Sequence, residues 1–92
     1  MSEHRKTITI VNQRGLHARA SAKFVGAVAE LPATTQVKVA KDGNEAAGGS
    51  ILGLMMLGAA KGDTVELIVA GENAEAVLAD LSALVENGFG EE

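Results

Sequence analysis

The sequence predicts an α+β fold in which a four-stranded sheet has its helices packed on one face. Segments that alternate apolar and polar residues are typical of strands, and segments with apolar residues every three to four positions indicate helices. These segments follow one another in the order β-α-β-β-α-β-α. The economical arrangement places amphipathic helices on one face of a single sheet and leaves the other face to water. At 92 residues, the chain is expected to form one domain over residues 1–92.

The strands are predicted from alternation and from turn signals. The predicted strands cover residues 7–11, 35–39, 44–47 and 64–69. Asp42-Gly43, between the second and third strands, is the strongest short signal for a hairpin.

The helices are predicted from apolar spacing and from residues that cap or break helices. The predicted helices cover residues 18–31, 51–57 and 74–85. The middle segment is apolar on nearly all sides and could also be a buried strand, but its serine cap and its pair of methionines favour a helix. Pro32 ends the first helix, and Ser50 suits the N-cap of the second. Asn73 is predicted to cap the start of the third helix, and Gly88 its end.

Composition and charge exclude several classes of function. The chain has no cysteine, which excludes disulfides and thiol chemistry. Eight basic residues against twelve acidic ones, with 2% aromatics, argue against nucleic-acid binding. The longest apolar run, residues 51–60, is too short to span a membrane, and the first residues do not form a secretory signal. We therefore expect a cytoplasmic protein with mobile ends at residues 1–5 and 89–92.

His17 is the strongest candidate for chemistry because it lies where a strand ends and a helix begins. Unpaired amides and the helix dipole make a helix N-terminus favourable for anions, and Arg14 and Arg19 add positive charge. Those charges disfavour imidazolium, and a neutral ring nitrogen is a nucleophile. The pattern indicates a phosphoryl acceptor, although an exposed loop histidine without a role has the same placement. His4, in the charged N-terminal arm, is interpreted as a surface residue.

Two stretches of the sequence resemble a known family. "GLHARAS" is similar to the "GLHARPA" motif of the HPr family, the histidine-containing phosphocarriers of bacterial phosphotransferase systems, and "GGSILGLMMLGAAKGDTVEL" matches a second family segment. The resemblance extends from about Lys6 to Gly90. It implies an open-faced β-sandwich with a four-stranded antiparallel sheet and three helices on one side. Ala20 departs from the pattern, since the family has proline there, and we expect a slightly looser helix start.

The resemblance also implies roles for residues and partners. His17 matches the histidine that accepts phosphate on Nδ1, and Arg19 matches the arginine that stabilises it. Phosphoryl would come from phosphoenolpyruvate through enzyme I and pass to a IIA-type acceptor, so the chain would be a stoichiometric carrier rather than an enzyme. The resemblance implies no metal or cofactor in this chain and a monomeric state. The ending "ENGFGEE" favours the nitrogen-related branch of the family.

Ser50 has two interpretations. An N-cap role explains a serine before an apolar segment without further function. The resemblance adds regulation, because some family members are phosphorylated at the matching serine by HPr kinase/phosphorylase. The same fold could then act as a regulatory interaction module switched at Ser50, which is the alternative to the carrier function.

The segment after Ser50 is apolar on nearly all sides, and a one-sided helix cannot bury it all. We expect some of it to form an exposed apolar surface, typical of a docking site, although complete burial in the core is the simpler alternative. The resemblance places Ile51, Leu52 and Met55 at partner-facing positions. A third possibility, a ferredoxin-like enzyme or small-molecule-binding domain, lacks any further set of catalytic residues.

Overall fold

A computed structural model describes residues 3–91, and it contains one four-stranded antiparallel sheet with helices on one face. The strands lie in the order β1-β4-β2-β3. The strands are β1 (Glu3–Thr9), β2 (Gln36–Lys41), β3 (Asn44–Ala47) and β4 (Thr64–Ala70). The helices are α1 (Ala18–Ala29), α2 (Ile51–Met56) and α3 (Ala74–Glu86), followed by a 3-10 turn at Gly88–Gly90. The predicted fold class and element order are confirmed.

Long-range pairing extends β1 beyond its predicted start. The segment before Thr7 is polar and gives no strand signal, yet Glu3 pairs with Ala70 and the antiparallel register continues to Thr9 opposite Thr64. Residues 3–5, expected to be mobile, therefore lie in the sheet. Met1 and Ser2, which belong to the same expectation, lie outside the described residues.

The hairpin between β2 and β3 forms at the predicted dipeptide. Asp42 and Gly43 both have positive φ values, 52° and 85°, as a type I′ turn requires. Lys41 pairs with Asn44 directly across this turn. The local sequence determines this register because few residues other than glycine and asparagine or aspartate tolerate the turn.

The core lies between the sheet and the helices and is almost entirely aliphatic. Both phenylalanines of the chain, Phe24 and Phe89, are buried in it and line the same interior space. Burial of Phe89 was not expected, because residues 89–92 were assigned to a mobile end. The structure instead places Phe89 in the 3-10 turn, while Glu92 lies outside the described residues.

Asn73 lies at the predicted start of α3, but it does not cap the helix through its side chain. Asn73 is the N-cap residue, but its side chain makes no capping hydrogen bond and its backbone is left-handed, with φ of 56°. Asparagine tolerates that conformation better than most residues, so its contribution is to the turn. In the described part of the chain, no helix is long and apolar enough to cross a membrane.

Candidate functional site

The loop between β1 and α1 positions His17 at the N-cap of α1, as predicted. The His17 backbone is extended, and its side chain makes no capping hydrogen bond. The first hydrogen bond within the helix runs from the Ser21 amide to the His17 carbonyl at 2.9 Å. The three preceding amides have no acceptor within the helix, which leaves donors for an anion beside His17.

Gly15 fixes this loop against the segment that follows α2. Its φ is +63°, and an added Cβ would lie 2.2 Å from the Ala59 carbonyl oxygen. The next amide, from Leu16, donates to that same oxygen at 2.9 Å. Only glycine permits this close approach, and the loop that presents His17 is therefore rigidly placed.

An open cleft beside the His17 loop is lined by three basic side chains and by the carboxylates of Glu86 and Glu91. The predicted residues Arg14 and Arg19 both line it, and both are exposed. Lys61, from the turn before β4, is a third cation that sequence analysis did not place at the site. Three cations next to free helix amides favour a phosphate-sized anion.

Sequence analysis also missed Glu91. Residues 89–92 were expected to form a mobile end, and for Glu91 that expectation was wrong. Its Oε2 lies 2.6 Å from Nε2 of His17, and the two side chains are only 21% and 17% exposed. The charge around His17 is therefore not purely positive, because a carboxylate contacts the ring.

Asn12 holds this carboxylate in place. Its Nδ2 donates to Oε1 of Glu91 at 3.0 Å and to the Gly15 carbonyl at 2.9 Å. The hydrogen bond from Asn12, together with that from His17, holds the pKa of Glu91 below its ordinary value. Glu91 is consequently ionised at neutral pH.

Ser50 caps α2 as the sequence predicts. Its Oγ accepts a hydrogen bond from the Gly53 amide at 2.9 Å. Ser21, which differs from the alanine of the family motif, is buried and donates from Oγ to the Leu16 carbonyl at 3.3 Å. Ala20, in place of the family proline, is also fully buried.

Replacing Ser50 by alanine is expected to lower the free energy of unfolding by about 1 kcal/mol, because the Gly53 amide loses its acceptor. Ser50→Asp should retain most of the stability, since aspartate caps helices equally well. Urea denaturation of the three proteins measures both effects. Equal losses in the two variants would show that capping is not what the hydroxyl contributes.

The α2 segment exposes an apolar surface that includes the three predicted docking residues. We define the α2 patch as Ile51, Leu52, Met55 and Met56. Leu52 is 67% exposed and Met56 77%, whereas Leu54 from the same helix is fully buried. Complete burial of this segment is thus excluded, and α2 packs against α1, the helix that begins after His17.

Comparison with known proteins agrees with the fold and the site. A family model described as "PTS HPr component phosphorylation site" matches residues 4–87. The phosphocarrier protein HPr of Pseudomonas aeruginosa is 44% identical over 85 residues, which covers 91% of this chain and 92% of the relative. The phosphocarrier protein NPr of Shewanella violacea is 35% identical and covers 99% of this chain and 98% of the relative.

A solved structure shows the same architecture. HPr-C-His from Thermoanaerobacter tengcongensis superposes with a TM-score of 0.87 at 39% identity, over 100% of this chain and 99% of that one. The sheet, the three helices and the histidine at the start of α1 thus define a phosphocarrier domain. The chain belongs to the HPr family of the phosphotransferase system. Relatives named HPr and NPr both match, and the branch to which this chain belongs stays a prediction.

Proposed function

We propose that this phosphocarrier accepts its phosphoryl group on Nδ1 of His17. The observation that supports this most directly is the contact between Nε2 of His17 and Glu91, because it leaves Nδ1 as the ring nitrogen available for phosphorylation. The N-cap position of His17 also supports this proposal, because the unpaired first amides of α1 favour an anion there. Arg19 stabilises the bound phosphoryl group, and Arg14 and Lys61 contribute positive charge around the same cleft.

The chain acts as a stoichiometric carrier between two proteins. It takes phosphoryl from phospho-enzyme I, which is charged by phosphoenolpyruvate, and gives it to a IIA-type acceptor. It needs no cofactor of its own, because the phosphoryl group passes directly from a side chain of enzyme I to His17 and from His17 to a side chain of the acceptor. Both partners dock on the α2 patch, where exposed methionines can adapt to different surfaces. Sequential docking requires binding weak enough for exchange.

Intact-mass measurement tests the proposed function directly. The protein is incubated with phosphoenolpyruvate and a bacterial enzyme I, and its mass is recorded before and after an acid step. We expect one added phosphoryl group that acid removes, since phosphohistidine is acid-labile and phosphoserine is not. Fragmentation under non-acidic conditions should place that group on His17. No transfer, or an acid-stable adduct alone, would contradict the proposal.

Docking on the α2 patch predicts that a charge at Leu52 slows phosphoryl transfer. Leu52→Glu places a charge on the exposed leucine of the patch, and the initial rate of transfer from enzyme I at low carrier concentration is expected to fall about tenfold. Ala76→Glu on α3 introduces the same charge at another exposed helical position and serves as the control. Equal rates for both variants would exclude Leu52 from the interface.

Ser50 is the basis of a second candidate function, regulation by phosphorylation. The residue precedes the α2 patch directly, so a phosphate there would add nearly two negative charges beside the docking surface. Incubation with ATP and an HPr kinase/phosphorylase should then give an acid-stable phosphoryl group on wild type but not on Ser50→Ala. Its absence would leave Ser50 with the capping role alone.

A further inference from the structure

The hydrogen bond between His17 and Glu91 determines which tautomer the neutral imidazole adopts. A neutral ring has one nitrogen that donates and one that accepts, whereas an ionised carboxylate only accepts. With Oε2 of Glu91 at 2.6 Å from Nε2 of His17, the proton must be on Nε2. The lone pair of a neutral His17 is then on Nδ1.

The carboxylate is itself oriented by the loop that contains His17. Asn12 donates from one amide nitrogen to Oε1 of Glu91 and to the Gly15 carbonyl. Both acceptors are oxygens, so the orientation of this buried amide follows from the contacts. The Asn12, Glu91 and His17 side chains therefore form a continuous chain of hydrogen bonds that starts from the backbone of the loop.

The segment that contains Glu91 is anchored in the core. Phe89 is 1% exposed, and Lys23 of α1 donates to its carbonyl at 2.7 Å. The Glu91 amide donates to the Gly88 carbonyl at 3.0 Å, which closes the 3-10 turn. Glu91 thus reaches His17 from a fixed turn.

We propose that Glu91 is a positioning residue for phosphoryl acceptance: it holds the Nε2 proton of His17 and so keeps the Nδ1 lone pair free for attack. This inference rests on the proposed function of His17. During transfer, the Nδ1 lone pair forms the new bond to phosphorus, while the bond between phosphorus and the donor side chain of phospho-enzyme I breaks and its electrons stay with that side chain. The Nε2 proton does not move. The product ring is a cation, phosphorylated on Nδ1 and protonated on Nε2, and it faces the Glu91 carboxylate.

The Glu91 carboxylate therefore stabilises the charge that forms on the ring as the reaction proceeds. Other charged groups face the same region: Arg14 from the loop, Arg19 from α1, Lys61 from the turn before β4 and Glu86 from the end of α3. Those cations favour the phosphoryl oxygens. Glu91 is the only described residue that forms a hydrogen bond with the ring, and its negative charge compensates the positive charge of the imidazolium.

Glu91→Gln tests this role because it keeps the size of the side chain and removes the charge. Glu66→Gln is the matched control: it makes the same change at a carboxylate that pairs with Arg5 and is not among the described residues that line the cleft. Long-range ¹H–¹⁵N correlation spectra near pH 8 report the tautomer of His17, with His4→Gln used to assign the two rings. Rapid-quench measurement of acceptance from phospho-enzyme I reports the rate, and circular dichroism confirms the fold.

We expect wild type and Glu66→Gln to show a protonated Nε2 and equal rates. Glu91→Gln should show a mixed tautomer population and acceptance slowed about tenfold, as loss of one charge-assisted hydrogen bond predicts. An unchanged rate or an unchanged tautomer in Glu91→Gln, with normal acceptance by wild type, would overturn this inference alone. Failure of wild type to accept phosphoryl on His17 would overturn the proposed function and this inference together.

Discussion

His17→Ala is expected to abolish acceptance of acid-labile phosphoryl while the protein remains folded. The nucleophilic nitrogen is lost, and neither Arg19 nor the amides of α1 can replace it. The His17 side chain makes no capping hydrogen bond at the start of α1, and Glu91 keeps its hydrogen bond from Asn12. Loss of the contact between His17 and Glu91 should therefore lower the free energy of unfolding by about 1–2 kcal/mol and leave the protein folded. Phosphoryl transfer from phosphoenolpyruvate and enzyme I, followed by intact mass with and without acid, measures the loss.

His4→Gln provides the matched histidine control. His4 lies in β1, where it pairs with Val69. It is not among the described residues that line the cleft beside His17. This variant should accept one acid-labile phosphoryl group at the wild-type rate. Acid-labile label on His17→Ala, or its loss from His4→Gln, would contradict the assignment to His17.

Much of the fold could be predicted because local sequence determines it. The Asp42-Gly43 turn needs positive φ at two adjacent positions, and few other dipeptides permit that. Ser50 caps α2 through a hydrogen bond three residues along the chain, which is a purely local contact. The placement of His17 at the start of α1 likewise followed from a change of apolar period near Ala18.

The remaining features depend on tertiary contacts that have no local signal. β1 begins at Glu3 because a neighbouring strand pairs with it, although the residues are polar. Glu91 contacts His17 across 74 positions in the sequence, and nothing in "GEE" distinguishes a site carboxylate from a solvated one. Lys61 reaches the cleft only because the turn before β4 packs beside the His17 loop.

Positive φ values show the same division between local and tertiary causes. At Gly15 the left-handed backbone could be expected from the residue type, while the reason for it, the Ala59 carbonyl, could not. Phe89 has φ of 60°, which a bulky residue adopts only at a cost. The burial of its ring in the core offsets that cost, and this burial requires the assembled sheet and helices.

Phe89→Ala is therefore expected to be the most destabilising of the substitutions considered, by about 3–5 kcal/mol. The variant loses the buried ring but keeps a non-glycine residue at positive φ. Because small domains have only about 5–15 kcal/mol of stability, a measurable fraction should be unfolded in mild urea. Urea denaturation at neutral pH gives the change directly, and Phe89→Leu, which fills part of the space, should lose less.

Val11→Ala is the control for Phe89→Ala, because Val11 is an exposed apolar residue that lines the cleft near Gly88. Its truncation should change the free energy of unfolding by no more than about 0.5 kcal/mol. If Phe89 anchors the turn, the folded fraction of Phe89→Leu should also show a weaker bond between Glu91 and His17, seen as a mixed tautomer of the ring. A Phe89→Ala variant as stable as Val11→Ala would mean that the last turn does not depend on the core, and that Glu91 reaches His17 without this anchor.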